Sequence, residues 1–170
     1  AQDFPRLTGS YLGQEPPGLE PRVFAPGVLS SGLNERDVLF APDGRRLWYG
    51  LMDRGTVTVM TTHLMDSAWS EPVSAGFHHD PSFACFEPAL SSDGARMLFL
   101  SNQAAPGQTQ GAGWANQNIF VSEAEGAGWS TPRALPAPVT TDAAEYFPSL
   151  ARDGTLYFTP GPEGPGYIGS

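Results

Sequence analysis

Apolar positions fall in short runs of four to six residues along most of the chain, and the runs come in pairs separated by an Asp-Gly dipeptide. Three such pairs align: Val38-Leu39-Phe40-Ala41-Pro42-Asp43-Gly44-Arg45-Arg46-Leu47-Trp48-Tyr49, Pro88-Ala89-Leu90-Ser91-Ser92-Asp93-Gly94-Ala95-Arg96-Met97-Leu98-Phe99 and Pro148-Ser149-Leu150-Ala151-Arg152-Asp153-Gly154-Thr155-Leu156-Tyr157-Phe158. The third is one residue shorter after its glycine. Runs of this length around a turn predict strands, and self-similarity at a fixed interval predicts a repeat architecture. Asp caps a tight turn with its own side chain while Gly supplies positive φ, so each copy predicts a β-hairpin. Asp43, Asp93 and Asp153 are therefore turn residues.

A second landmark fixes the register. Trp69-Ser70-Glu71-Pro72 and Trp129-Ser130-Thr131-Pro132 each begin 24 residues before the next Asp-Gly aspartate, at 93 and 153. Upstream of each tryptophan lies another strand candidate, Val57 to Thr61 in one copy and Ile119 to Ser122 in the next. Each unit thus holds an inner strand, its return strand, a third strand and an outer strand near the tryptophan. The Asp-Gly aspartates are 50 and then 60 residues apart, and the surplus falls in a Gly/Ala/Gln-rich stretch between Asn102 and Asn118 that reads as a loop insertion. Leu19 to Phe24 has the spacing of an orphan outer strand, residues 1–18 being an N-terminal extension to a repeat region over 19–170. Gly166-Tyr167-Ile168 reads as a third strand of an unfinished unit.

The expected fold is all-β: a β-propeller of four-stranded antiparallel blades, three of them present. Propellers have about four to eight blades, so the chain is expected to be part of a longer ring, or half of a six-bladed ring completed by a homodimer.

Composition narrows the partners. Twenty glycines and seventeen prolines in 170 residues, with 40% apolar and 11% aromatic residues, suit many short strands joined by tight turns. The net charge is −9, which disfavours a nucleic-acid partner. All nine cationic residues are arginine, as the codon usage of a GC-rich genome would give, and no function follows from that. No stretch has the roughly 20 apolar residues of a membrane span. The single cysteine, Cys85, excludes an internal disulfide; flanked by Phe83, Phe86 and Leu90, it reads as a small buried apolar residue. A start at Ala1-Gln2-Asp3 is that expected after signal cleavage.

The Asp-Gly hairpins with their Ser, Pro or Arg flank, together with the Trp-Ser-x-Pro strands, resemble the WD40-like PD40 repeat of TolB-type β-propellers over residues 19 to 168. The resemblance implies a secreted or periplasmic bacterial protein whose propeller binds other proteins or sits beside an enzyme domain, and it implies no catalytic residues. Ser92 and Arg152 depart from the usual proline, and Cys85 stands where the other copies have Glu35 and Glu145.

Candidate chemistry lies in loops, which a rigid scaffold positions for binding. Asn34-Glu35-Arg36, Phe86-Glu87 and Glu145-Tyr146 enter the inner strands and would form a polar, partly aromatic rim to a channel, for a protein or glycan ligand. The structural alternative for Glu35 and Glu145 is that they accept hydrogen bonds from backbone or from arginines of the next unit. His78-His79-Asp80 is the only run of metal-capable side chains, although neighbours in an extended strand point to opposite faces and would not share one ion. Glu35, Glu87 and Glu145 could also serve as the carboxylates of a carbohydrate-active enzyme, a glycoside hydrolase or lyase. No nucleophile elbow or Gly-rich phosphate loop is present, and no cofactor is expected. Trp69 and Trp129, at equivalent positions, read as packing residues. Trp114 breaks the repeat, lies in the insertion beside Asn116, Gln117 and Asn118, and is the leading candidate for glycan or peptide contact.

Overall fold

The computed structural model describes residues 4–77, 80 and 82–161. The first sheet contains β1 (Asn34–Phe40), β2 (Arg46–Asp53) and β3 (Thr56–Met65), with β4 (Ala68–Trp69) and β5 (Val73–Ser74) both pairing β3. The second repeats the arrangement with β6 (Cys85–Leu90), β7 (Arg96–Ser101) and β8 (Asn118–Glu125), and with β9 (Gly128–Trp129) and β10 (Arg133–Ala134) on β8. A third sheet is the hairpin β11 (Glu145–Leu150) and β12 (Leu156–Pro160). Every ladder is antiparallel, and the fold is all-β.

The turns form as their chemistry requires. The Oδ1 atoms of Asp43, Asp93 and Asp153 accept the N–H of Arg45, Ala95 and Thr155 at 2.9, 3.0 and 2.9 Å. The glycines that follow take φ of 67°, 74° and 88°, which a side chain would resist. The Trp-Ser-x-Pro element is a clasp rather than a continuous outer strand. Pro72 and Pro132 have no N–H to give, and the strand is split in two. Across the break, the hydroxyls of Thr62 and Ser122 donate to the carbonyls of Ser70 and Ser130 at 2.6 and 2.5 Å. In return, the hydroxyls of Ser70 and Ser130 accept the N–H of His63 and Glu123 at 3.3 and 2.9 Å.

The sheets stack face to face with one polarity. Alternate residues of β2 and β7 point to opposite faces, and both faces are buried, which is why these strands read as continuous apolar runs. Trp48 and Val59 on the forward face of sheet 1 meet Phe77, Cys85, Met97, Phe99 and Phe120 of the second repeat. Leu98, Ile119 and Val121 on the forward face of sheet 2 meet Leu150, Leu156 and Phe158 of sheet 3. Each fully buried side chain of this size contributes about 1.5–3 kcal/mol, so both interfaces contribute substantially to the stability. Trp129 packs between sheets 1 and 2, edge-on to Trp48 and Phe77 at 6.2 and 5.7 Å. Cys85 is buried there, and burial pushes its thiol well above the usual range.

The back face of sheet 1 is covered by the N-terminal segment. Leu12, Ala25 and Leu29 lie on Leu47, Tyr49 and Trp69, and the Trp69 indole donates to the Gly9 carbonyl at 2.8 Å. The strand expected at Leu19 to Phe24 does not form. Pro21 interrupts any ladder there, Leu19 is fully exposed, and the segment is instead tied by Gln14, which accepts the Ala25 N–H at 2.6 Å and donates to the Val23 carbonyl at 3.2 Å. Among the described residues nothing covers the forward face of sheet 3, where Tyr157 is 63% exposed. The strand expected at Gly166-Tyr167-Ile168 lies outside the described residues.

Candidate functional site

All three inner strands break their ladders at the same place: between Arg36 and Leu39, Phe86 and Ala89, and Tyr146 and Ser149. The residue within each break has positive φ although it is not glycine: 56° at Asp37, 54° at Glu87 and 51° at Phe147. Each stands six residues before its Asp-Gly aspartate. Such a bulge costs of the order of 1 kcal/mol in backbone strain and re-aims the side chains around it. Three bulges at equivalent heights therefore direct side chains from three repeats into one cluster.

Glu87 is the centre of that cluster. It is 5% exposed; its Oε1 accepts from Arg36 Nη2 at 3.3 Å, and its Oε2 accepts the Phe147 N–H at 2.7 Å. One carboxylate thus joins the inner strands of sheets 1 and 3 across sheet 2. Burial raises its pKa above the usual carboxylate value, opposed by the Phe147 N–H and by Arg36, with Asp37 adding to the rise. Arg36 also pairs with Asp37 at 2.7 Å, and its guanidinium lies over the rings of Phe86 and Phe147 at 5.6 and 5.7 Å.

Aromatic surface surrounds the caged arginine. Trp114 meets Phe86 edge-on at 5.4 Å, and Tyr146 lies 6.4 Å from Phe147 between ring centres. Trp114 and Phe147 are 44% and 54% exposed, so the cluster presents two large rings outward. Trp114 arrives on the insertion between β7 and β8, which opens at the same end of sheet 2 as the start of β6, where Cys85 pairs with Ser101 and Ser101 with Asn118.

The structure brings together Arg36, Glu87, Tyr146 and Trp114 of the expected rim, but Glu35 and Glu145 do other work. Glu35 Oε1 accepts the Ser31 N–H at 3.1 Å and the Ser31 hydroxyl; Glu145 Oε1 accepts the Thr141 N–H and hydroxyl at 3.0 and 2.6 Å. Both acids therefore clamp the loop four residues upstream. Their hydrogen-bond donors are backbone and hydroxyl groups of their own repeat, not arginines of the next. Burial, and then the Glu35 carboxylate, push the Tyr49 phenol up to about 12.

The polar side chains of the insertion are likewise turned inward. Asn118 is fully buried and donates to the Gln103 carbonyl and to Gln108 Oε1, both at 2.9 Å. Asn116 accepts the Gly111 N–H at 2.7 Å. Asn116, Gln117 and Asn118, which flank Trp114 in the sequence, bond within the insertion: the amides of Asn116 and Asn118 hold the loop's own backbone, and Gln117 donates to the Trp114 carbonyl at 3.3 Å. Trp114 alone faces outward from this group.

Of the proposed metal ligands, His78 and His79 lie outside the described residues. Asp80 accepts the Ser82 N–H at 2.9 Å, and among the described residues no group of three or more metal-capable side chains converges. Phe147 and Asp37 were missed by the sequence reading. Their signal was present as the shared offset of six from the Asp-Gly aspartate, but a bulge has no composition signature when its residues are an acid, an acid and an aromatic.

No protein-family model matches the chain, and no curated protein matches it.

Proposed function

We propose that this chain is a non-catalytic binding module of β-propeller type, each sheet being one blade, and that it recognises a protein or glycan component of the bacterial cell envelope through Trp114, Phe147 and the Arg36–Glu87 pair beneath them. The observation that carries this reading is the convergence of three repeats on one buried carboxylate below two exposed rings. A preorganised aromatic platform on rigid strands is what a binding site needs. Uniform stacking polarity supports the propeller architecture, and the PD40-like motifs support a periplasmic or secreted setting.

A hydrolytic role for the rim carboxylates finds less support. Glu87 is already engaged on both oxygens, and Glu35 and Glu145 are each committed to a loop clamp. A glycosidase needs one free acid and one free base or nucleophile facing a substrate. The test is binding of the full chain to peptidoglycan fragments and a panel of soluble oligosaccharides and envelope proteins, followed by calorimetry and scored also for product release. The Trp114→Ala and Phe147→Ala variants should each lose about tenfold in affinity with unchanged thermal midpoint. Binding that survives both substitutions would overturn the assignment of the site, and turnover on any glycan would overturn the non-catalytic reading.

A further inference from the structure

At the end of the sheets opposite the rim, a cleft of about 570 Å³ opens between sheets 1 and 2. One wall is the Asp43–Gly44 hairpin and the end of β3; the other is the Asp93–Gly94 hairpin and the turn from β8 to β9. Its volume falls within the range of small-molecule sites. Three of its side chains are hydrogen-bond donors: Arg45 stands where the next copy has Ala95 and His63 where it has Glu123, and both adjoin Arg46, whose counterpart is Arg96.

The donors are held but not spent. Arg45 uses one Nη2 contact, to the Leu64 carbonyl at 3.1 Å. Arg46 lies over Trp48, 5.8 Å from its ring centre, which fixes the direction of the guanidinium. His63 has its Nδ1 3.3 Å from the Ser70 hydroxyl, leaving Nε2 on the other side of the ring. Among the described residues neither Arg45 nor Arg46 forms an ion pair. In a chain of net charge −9 two adjacent guanidinium groups thus face one cleft, with formal charge matched by the two turn aspartates of its walls.

Two acids also line the cleft, Asp43 and Asp93, and both belong to the turns. The Oδ1 of each accepts a turn N–H, as that of Asp153 does in the third repeat, and Asp93 also accepts the Ser91 hydroxyl at 2.5 Å. They are common to all three hairpins, whereas Arg45 and His63 are replaced by Ala95 and Glu123 in the second repeat. The rest of the wall is apolar, with Leu90, Ala41 and the half-buried edge of Trp129.

We propose that this cleft binds a small organic anion, a carboxylate or phosphate head on an apolar or aromatic body, with Arg45, Arg46 and His63 receiving the head and Leu90 and Trp129 the body. Two guanidinium groups favour planar, bidentate recognition of either head, and the apolar wall selects against a bare inorganic ion. This site is separate from the rim, and its occupancy neither requires nor excludes the binding proposed there.

The experiment uses the full chain and four probes: N-acetylphenylalanine, its uncharged amide, phenyl phosphate and inorganic phosphate. Calorimetry gives affinities, and indole N–H resonances report the place of binding. Expected are affinities for N-acetylphenylalanine or phenyl phosphate about tenfold above the amide, with shifts at Trp48 and Trp129 and none at Trp114. Which of the two charged probes binds more tightly identifies the head group. The double variant Arg45→Gln with Arg46→Gln, folded by circular dichroism, should bind acid and amide alike. Equal binding of acid and amide by the unaltered chain would overturn the proposal. So would inorganic phosphate binding as tightly as phenyl phosphate, or resonance shifts confined to Trp114.

Discussion

Replacing Glu87 by alanine removes both hydrogen bonds that tie sheets 1 and 3 through sheet 2. The Phe147 N–H then loses a charged acceptor 2.7 Å away in a buried setting, worth about 1.5–3 kcal/mol. The Arg36 contact adds less than about 1 kcal/mol, because the Arg36 side chain is 35% exposed and keeps Asp37 as a partner. The expected loss is therefore about 2–4 kcal/mol, a fall in thermal midpoint of roughly 5–15 °C for a chain of this length. Alanine keeps a Cβ at φ 54°, so the backbone strain is unrelieved. Glycine at the same position relieves it and should recover about 1 kcal/mol. Urea unfolding followed by tryptophan fluorescence measures both variants. An alanine variant within about 0.5 kcal/mol of the parent would refute the bridging role of Glu87, and equal stabilities of the alanine and glycine variants would refute the strain assigned to the bulge.

Glu145 is 1% exposed, its Oε2 has no hydrogen-bond partner among the described residues, and burial raises its pKa while the Thr141 bonds oppose the rise. A carboxyl raised on folding contributes stability that is full below its unfolded value and lost as pH rises through its folded value. Glu145→Gln should thus flatten the fall in stability between mildly acidic and neutral pH, measured by urea unfolding across that range; an unchanged slope would refute the assignment. Ser130→Ala orphans the Glu123 N–H and should cost about 1 kcal/mol, and Ser70→Ala less, since the corresponding contact is 3.3 Å rather than 2.9 Å; chemical denaturation would show the order, and the reverse order would count against the clasp. A two-chain ring would seat sheet 3 of one chain on the back of sheet 1 of the other, a face already occupied by Leu12, Ala25 and Leu29. Light scattering should therefore give the mass of one chain, and a compact dimer would contradict this.

The hairpins were legible because Asp-Gly turns and apolar runs are local chemistry, and the paired Trp-Ser-x-Pro elements set their spacing. The outer strand was legible only in position: its division into two pieces depends on hydroxyls of Thr62 and Ser122 that meet Ser70 and Ser130 only after folding. The N-terminal layer was misread because Leu19 to Phe24 has the spacing of a strand, while its hydrogen bonds go to the side chain of Gln14. At the rim, Arg36, Glu87, Tyr146 and Trp114 were found from their position in loops and at strand entries. Glu35 and Glu145 look like the same chemistry in sequence, and only their contacts with Ser31 and Thr141 distinguish a loop clamp from a ligand contact. Phe147 was hidden because an aromatic at a strand position reads as core.

The bulges separate what a position looks like from what it carries. Asp37, Glu87 and Phe147 share nearly the same backbone angle, yet one is a short acid, one a long acid and one an aromatic ring. The ladder on either side closes in the same way for all three. Each repeat therefore holds one position of fixed backbone geometry at which the side chain is free to differ, and the surface at this end of the sheets can diverge from repeat to repeat while the ladders on either side keep their register.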